Sequence, residues 1–383
     1  MSTRTRQCIS VSTMLEREPD NAFRQTQQTL SSFLHDDEWV VATLPENFVK
    51  FCQRSIKSTR GEFLYTDPLL TTTSSPRAEL EEEASSIDLG AVDENEIIPL
   101  TPKPSTKPVV AIDTSTIKLG ELEDGSLCAI RGAIVLLENH RYRYVRYGPL
   151  VFSVSSFPTR DDFAQLGFAP ALNELNIECL IKRVRDTFER WLQFSVNRTV
   201  KNAFVLLDGS LAAGTSDNAS KELERTLNAA RQARNLIIAI SKNTKLRIGE
   251  KSITNLLDTF KKPCLLDIDA QIVRQFSHSL RFLGRVFVGK LANSGFPFRI
   301  DVDRNAETET MLDGFHELIG TEIVDQGYPE TLRIAHVLST FTATDVLAIQ
   351  AFAASRYGIR LIPKTVLRRS LFGPFGTGWE SWH

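Results

Sequence analysis

The sequence predicts an α/β protein with a mixed sheet flanked by helices, preceded by a helical or irregular N-terminal extension. Three observations carry this. The run Val109-Val110-Ala111-Ile112 is apolar and mostly β-branched, as a buried strand requires, and Asp113-Thr114-Ser115 follows it at once. A second run, Phe204-Val205-Leu206-Leu207, also ends in an aspartate, Asp208, before Gly209-Ser210. Between them the hydrophobic period changes from the alternation of strands to the spacing of helices.

Taken in order, residues 1–75 hold a predicted helix at 20–33 and apolar pieces at 39–44 and 48–51, too polar for a large core of their own. Residues 76–107 form a predicted linker. Eight acidic residues and no basic one lie within 79–96, and Pro99, Pro102, Pro104 and Pro108 follow. The Ile97-Ile98 pair is the apolar exception. Residues 108–383 form the main predicted domain. The Asp113 strand is followed by alternating β-rich stretches at 126–137 and 142–154, joined by Asn139-His140 as a turn, which predicts a three-stranded antiparallel meander.

Leu172, Leu175, Leu180, Val184, Phe188 and Leu192 then recur at helical spacing across 171–199. Next come the Asp208 strand, a helix at 221–234, a strand at 236–240 and a helix near 252–260. Strands at 285–290 and 298–302, a helix at 307–319 and a turn at Gly327-Tyr328-Pro329 follow. The last helices are at 330–338 and 344–356, and an aromatic, glycine-rich tail spans 372–382. Hairpin strands first, then helix, strand, helix, strand, is the order of a mixed sheet.

Composition narrows the function classes. The 383 residues are 42% hydrophobic and 24% charged with a net charge of −2, an ordinary globular balance. No continuous apolar run approaches the ~20 residues of a membrane span, and the first thirty residues lack an apolar signal core. Cys8, Cys52, Cys128, Cys179 and Cys264 are scattered without a CxxC pair, which fits a reducing cytoplasm and speaks against a zinc ribbon. There is no Walker A loop, no GxGxxG after a strand and no GxSxG elbow.

The chemistry points to the two strand-end aspartates. A carboxylate at the tip of a core strand is expensive to bury, and two facing carboxylates repel unless a cation stands between them. Asp113 and Asp208 are therefore expected to form two walls of one metal site, against the plainer reading that each caps a turn. The intervening helix offers Glu178, Asp186 and Glu189 as a third carboxylate, and spacing does not choose among them. His336, with apolar neighbours on both sides, is either a hydrogen-bonded core histidine or a ligand. With it the donor set would be rich in oxygen and nitrogen, as Mg²⁺ or Mn²⁺ accepts. Lys242 ends the strand after Asp208 and is either a partner for a scissile phosphate or a solvated strand-end lysine. Arg141, Arg143 and Arg146 alternate with Tyr142, Tyr144 and Tyr147, a pattern that can track a phosphate backbone and stack bases.

Several segments together resemble the NurA nucleases. They are Val109–Ser115, Val205-Leu206-Leu207-Asp208-Gly209-Ser210-Leu211, Ile240-Ser241-Lys242, and Gly327-Tyr328-Pro329 leading to Ala335-His336. Their order over residues 105–365 carries the resemblance. It implies an RNase H-like core, a homodimer, and cleavage of single- and double-stranded DNA ends with Mn²⁺ or Mg²⁺. It further implies 5′-to-3′ exonuclease and single-strand endonuclease activity beside a HerA-like hexameric translocase in break resection. The family's aspartates fall on Asp113 and Asp208, its helix glutamate, nineteen positions before the second aspartate, on Glu189, and its histidine on His336. The expected mechanism is two-metal phosphodiester hydrolysis, with Lys242 offsetting charge on the transition state. Asp301 is a further carboxylate of unassigned role. The alternatives are a non-catalytic scaffold that binds DNA or a translocase, and another RNase H-like nuclease such as a junction resolvase.

Overall fold

The computed structural model describes residues 44–66, 86–87, 97–156, 177–214, 219–242, 244, 247–248, 251–257, 259–276 and 280–363. The helix expected at 20–33, the apolar piece at 39–44 except Leu44, most of the acidic run and the aromatic tail lie outside these residues.

The longest strands are the meander. Strand β3 (Val109–Leu122) pairs antiparallel with β4 (Gly125–Glu138), which pairs antiparallel with β5 (Arg141–Ser155). On its other edge β3 pairs in parallel with β6 (Phe204–Asp208), and β6 in parallel with β8 (Leu236–Ser241). Helix α2 (Ile177–Thr199) connects β5 to β6, and α3 (Ala219–Gln232) precedes β8. Read across the sheet, these five strands stand in the order third, second, first, fourth, fifth with only the second reversed, which is the RNase H-like order.

The sheet then continues antiparallel through β12 (Phe298–Asp303), β11 (Gly284–Lys290), β9 (Cys264–Asp267) and β2 (Ile97–Pro99). Thus the Ile97-Ile98 pair of the acidic stretch adds an edge strand. On the far end of β3, β1 (Phe63–Thr66) places Tyr65 opposite Glu121, and β15 (Arg360–Pro363) pairs in parallel with β1. Smaller pairings join β7 (Ala212–Gly214) to β10 (Leu280–Phe282), and β13 (Val324–Asp325) to β14 (Tyr328–Pro329).

Alternation along the strands divides two cores. Val110, Ile112, Val205, Leu207 and Ile237 face α2, α3 and the N-terminal helix α1 (Glu46–Ser58), whose Phe48, Phe51 and Cys52 are buried among them. Val109, Ala111, Leu206, Ile238 and Ile300 face the opposite way, toward α5 (Thr308–Thr321) and α6 (Glu330–Ser339). Each of the valines, leucines, isoleucines and phenylalanines among them, taken fully out of water, contributes ~1.5–3 kcal/mol. Position 132 has no room for a side chain: a Cβ there would lie 2.6 Å from Leu192 Cδ1 and 2.9 Å from Phe188 Cε1, so glycine lets α2 press onto β4.

One expected helix is not a helix. The stretch near 252–260 is a single 3-10 turn, Ile253–Leu257, and the chain then forms β9 and the short helix α4 (Asp269–Phe276). Ile253, Leu256, Leu257 and Phe260 do carry helical spacing, but Lys261-Lys262-Pro263 ends the pattern after two turns, and a helix that short has little stability of its own.

Glu330–Tyr357 is long and apolar enough, by composition, to cross a membrane. It bends at Thr340–Thr342 into α6 and α7 (Ala343–Tyr357), and Leu332, Ala335, Val346 and Ala353 are buried against the sheet. Arg131 of β4 pins that bend. It is buried, donates to Asp345 at 3.0 and 3.2 Å and to the Thr340 carbonyl at 3.0 Å, and lies over the Phe341 ring. Asp345 also closes a capping box with Thr342 at the start of α7.

Burial acts to raise the Asp345 carboxyl, but the Arg131 and Thr342 hydrogen bonds and the guanidinium charge outweigh it and hold the group at about 2. A depressed carboxyl contributes stability above its unfolded value of roughly 3.9, and loses it as pH falls through the folded one. Asp345→Asn should therefore lower stability at neutral pH and flatten its decline between about pH 4 and pH 2. Urea unfolding across that range measures this, and superimposable pH slopes for variant and wild type would contradict it.

Candidate metal centre

Asp113 extends the odd-numbered side of β3, and Asp208 the even-numbered side of β6. The parallel register, Ala111 beside Leu206 and Ile112 beside Leu207, makes those two sides one face of the sheet. The aspartates are therefore brought side by side on the face that α6 covers. Strand β6 ends at Asp208 while β3 runs on to Leu122, so the sheet opens just beyond the pair.

Helix α6 lies across β3 and β4 and delivers His336 and Ser339, one turn apart on one side of the helix. His336 Nδ1 is 3.1 Å from Asp113 Oδ2, and the buried Ser339 hydroxyl donates to the same oxygen at 2.6 Å. The start of α6 is fixed by Glu322, whose carboxylate accepts from the Thr331 hydroxyl and from the Thr331 and Ile323 amides. The bond to Thr331 answers one of the amides that a helix N-terminus otherwise leaves unpaired. Gly327, with φ of +90°, takes the chain through the turn before the helix, where a Cβ would meet the Phe296 carbonyl oxygen at 2.4 Å.

Lys242, at the end of β8, reaches across to Asp208 Oδ2 at 2.7 Å and stands over the Tyr328 ring. Burial acts to raise the Asp113 carboxyl. The hydrogen bonds from His336 and Ser339 and the charges of His336 and Lys242 win, and hold it below the usual carboxylate range. It is thus an anion at neutral pH although it is buried. One donor atom each from Asp113, Asp208 and His336 lies within 4.8 Å of the others, which makes them a metal-competent group among the described residues. Beside them opens a recess of about 320 Å³ lined by Lys242, Phe298, Gln326, Tyr328, Arg333 and His336.

The other expected residues fall elsewhere. Of the three helix carboxylates, Glu178 is exposed and Asp186 bonds its neighbour Arg185, while Glu189 is buried. Glu189 is not in the three-residue cluster. It accepts from Thr114 Oγ1 at 3.0 Å and Gln193 Nε2 at 2.8 Å, on the side of the sheet that α2 covers. Asp301 is fully buried and tied to Arg299. Of the Arg/Tyr alternation, Tyr147 is buried and Tyr142 packs against the α5 and α6 core, leaving Tyr144 as the exposed ring. Ser339 was not singled out by sequence reasoning. Its signal is the three-residue spacing from His336, legible only once that helix face is known to meet Asp113.

The solved structures similar to this chain include the NurA nuclease from Sulfolobus solfataricus, at 16% identity over 73% of this chain and 90% of that one, with a TM-score of 0.44. Another is NurA bound to dAMP and manganese, at 10% identity over 65% and 88%, with a TM-score of 0.40. The endonuclease V from Streptomyces avermitilis matches at 13% identity over 76% and 99%, with a TM-score of 0.32. No curated protein matches. The model of the NurA domain matches residues 107–339, from the approach to β3 through Ser339 and so across the whole cluster, and the chain belongs to the NurA family.

Proposed function

We propose that this protein is a divalent-metal-dependent DNA nuclease that hydrolyses phosphodiester bonds. The observation that carries the reading is the convergence of Asp113, Asp208 and His336 beside Lys242. The donor set fits the ion: two carboxylate oxygens and an imidazole nitrogen suit Mn²⁺, and Mg²⁺ with more retained water. A cation held there supplies Lewis acidity toward a phosphate oxygen and makes its bound water more acidic.

The chain's own residues do the rest. Asp113 and Asp208 bind through oxygens brought together by strand register. Ser339 holds Asp113 Oδ2 and so fixes the carboxylate that would bind the ion. Lys242 places a positive charge where the phosphate gathers negative charge in the transition state. Phe298 and Tyr328, in edge contact with ring centroids 5.5 Å apart, wall the recess against which a nucleotide next to the scissile bond would rest.

A second cation, with Glu189 as one of its ligands, belongs to the same proposal. So do 5′-to-3′ exonuclease and single-strand endonuclease activity, a homodimer and work beside a HerA-like translocase in end resection. These rest on the resemblance to NurA nucleases.

The test is a time course with end-labelled single- and double-stranded DNA in Mn²⁺, Mg²⁺ or EDTA. Degradation with a divalent ion and none in EDTA is the expected result. Intact DNA in every condition, from folded protein, would overturn it in favour of a DNA- or translocase-binding scaffold.

A further inference from the structure

Behind the metal centre, on the opposite side of the sheet, lies a buried charge pair. Arg299 and Asp301 are two apart on β12, so their side chains share a face, and they are 1% and 0% exposed. Arg299 Nε meets Asp301 Oδ1 at 2.9 Å, and a second guanidinium nitrogen meets Oδ2 at 3.0 Å. A buried ion pair is a poor source of stability, because apolar side chains of similar volume commonly serve as well or better. Stability alone therefore does not explain why the pair is here.

Its third partner does. Asp301 Oδ2 accepts the backbone N–H of Leu211 at 2.9 Å, and Leu211 is the third residue after Asp208. The Leu211 carbonyl accepts in turn from the Leu283 and Gly284 amides at 2.9 and 3.1 Å. At the other end of the segment, Gly209, with φ of +120°, donates to the Ile240 carbonyl at 3.0 Å. A Cβ at position 284 would lie 2.8 Å from Leu211 Cβ and 2.9 Å from Asp301 Cβ, so the packing is as close as the bonding. Arg299 also stands opposite Ser241, the residue before Lys242.

We propose that the Arg299–Asp301 pair positions Asp208. By clamping the Leu211 peptide it fixes the Asp208–Leu211 turn, and with it the direction in which the Asp208 carboxylate leaves the strand toward Asp113 and Lys242. Asp301 is then a positioning residue and not a ligand, since both its oxygens are already engaged. This inference rests on the metal-centre reading above.

The test compares wild type, the apolar replacement Arg299→Met/Asp301→Leu, and protein in which Leu211 is replaced by its α-hydroxy acid. The last exchanges the single N–H for an ester oxygen and leaves the pair intact, so it reports even if the double variant does not fold. Thermal unfolding, Mn²⁺ affinity, and kcat and KM on single-stranded DNA are measured for each. The expected result is a kcat and an Mn²⁺ affinity lower by roughly 10- to 100-fold, the range seen when support behind metal ligands is lost. KM should be unchanged, and the unfolding temperature of the ester protein should stay near wild type. Wild-type kcat and Mn²⁺ affinity in the ester protein would overturn the proposal and leave the pair a packing feature. Asp208→Asn is the control: if it binds Mn²⁺ as wild type does, the metal-centre reading itself fails, which separates the two failures.

Discussion

Asp113→Asn and Asp208→Asn are each expected to lower the proposed metal-dependent DNA cleavage by at least ~10³-fold, about 4 kcal/mol of transition-state stabilisation, and to leave the protein folded. Both substitutions keep side-chain size and remove one anion from the cluster. The charge is what matters, because an amide oxygen is a far weaker partner for a hard cation. The fold should tolerate the change. At position 208 the loss leaves Lys242 without its 2.7 Å partner, but that side chain is 35% exposed and water replaces the contact, so less than about 1 kcal/mol is at stake. At position 113 the Ser339 hydroxyl can still donate to the amide oxygen. Single-turnover cleavage beside urea unfolding measures both halves of the expectation. Retained cleavage in both variants would sink the site assignment, and collapse of both folds would make the aspartates structural.

The second large effect concerns the core that supports the site. Phe188→Ala is expected to lower stability by about 3–5 kcal/mol, the cost of emptying a fully buried aromatic position. Phe188 is wedged where three elements meet. Its ring is 5.0 Å from that of Phe48 on α1 and 6.0 Å from Trp191 on its own helix, and its edge abuts the glycine at 132 on β4. None of these can close the space without moving α2, so little relaxation is available. The variant should also loosen α1, because Phe48 loses the ring it stacks on. Urea unfolding gives the magnitude, and proteolysis between α1 and β1 reports the loosening. A loss below about 1 kcal/mol would mean that α1 and α2 do not share one close-packed core.

Much of this architecture was legible because two local rules agreed with the global fold. The Val109 and Phe204 runs are strongly β-forming, and each ends in an aspartate at a parity that shared register converts into one site. The meander, α2, α3, and the helices carrying His336 and Asp345 were legible from period alone. The missing parts have physical reasons. Strands β2 and β9 are too short to show alternation, and one sits in an acidic, proline-rich stretch whose composition argues for a linker. Both are strands because they complete an edge of a large sheet, which is tertiary information. Asp301 offered a carboxylate, and the strand expected at 298–302 already put Arg299 on its face, but its bond to the Leu211 amide joins distant segments and is tertiary information. Glu189 was chosen over Glu178 and Asp186 by resemblance, and burial singles it out independently, although on the side of the sheet away from Asp113. Ser339 carries no residue-type signal, since serine near a helix C-terminus is unremarkable until Asp113 is found beneath it.

The most direct measurement is a Mn²⁺ titration followed by electron paramagnetic resonance, with wild type, Asp113→Asn and Asp208→Asn side by side and without DNA. Free Mn²⁺ gives a sharp signal that fades as the ion is bound. Saturable loss of that signal in wild type, weakened at least tenfold by either substitution, is the expected result. Equal binding by all three proteins, or none by wild type, would show that Asp113, Asp208 and His336 do not form a metal centre.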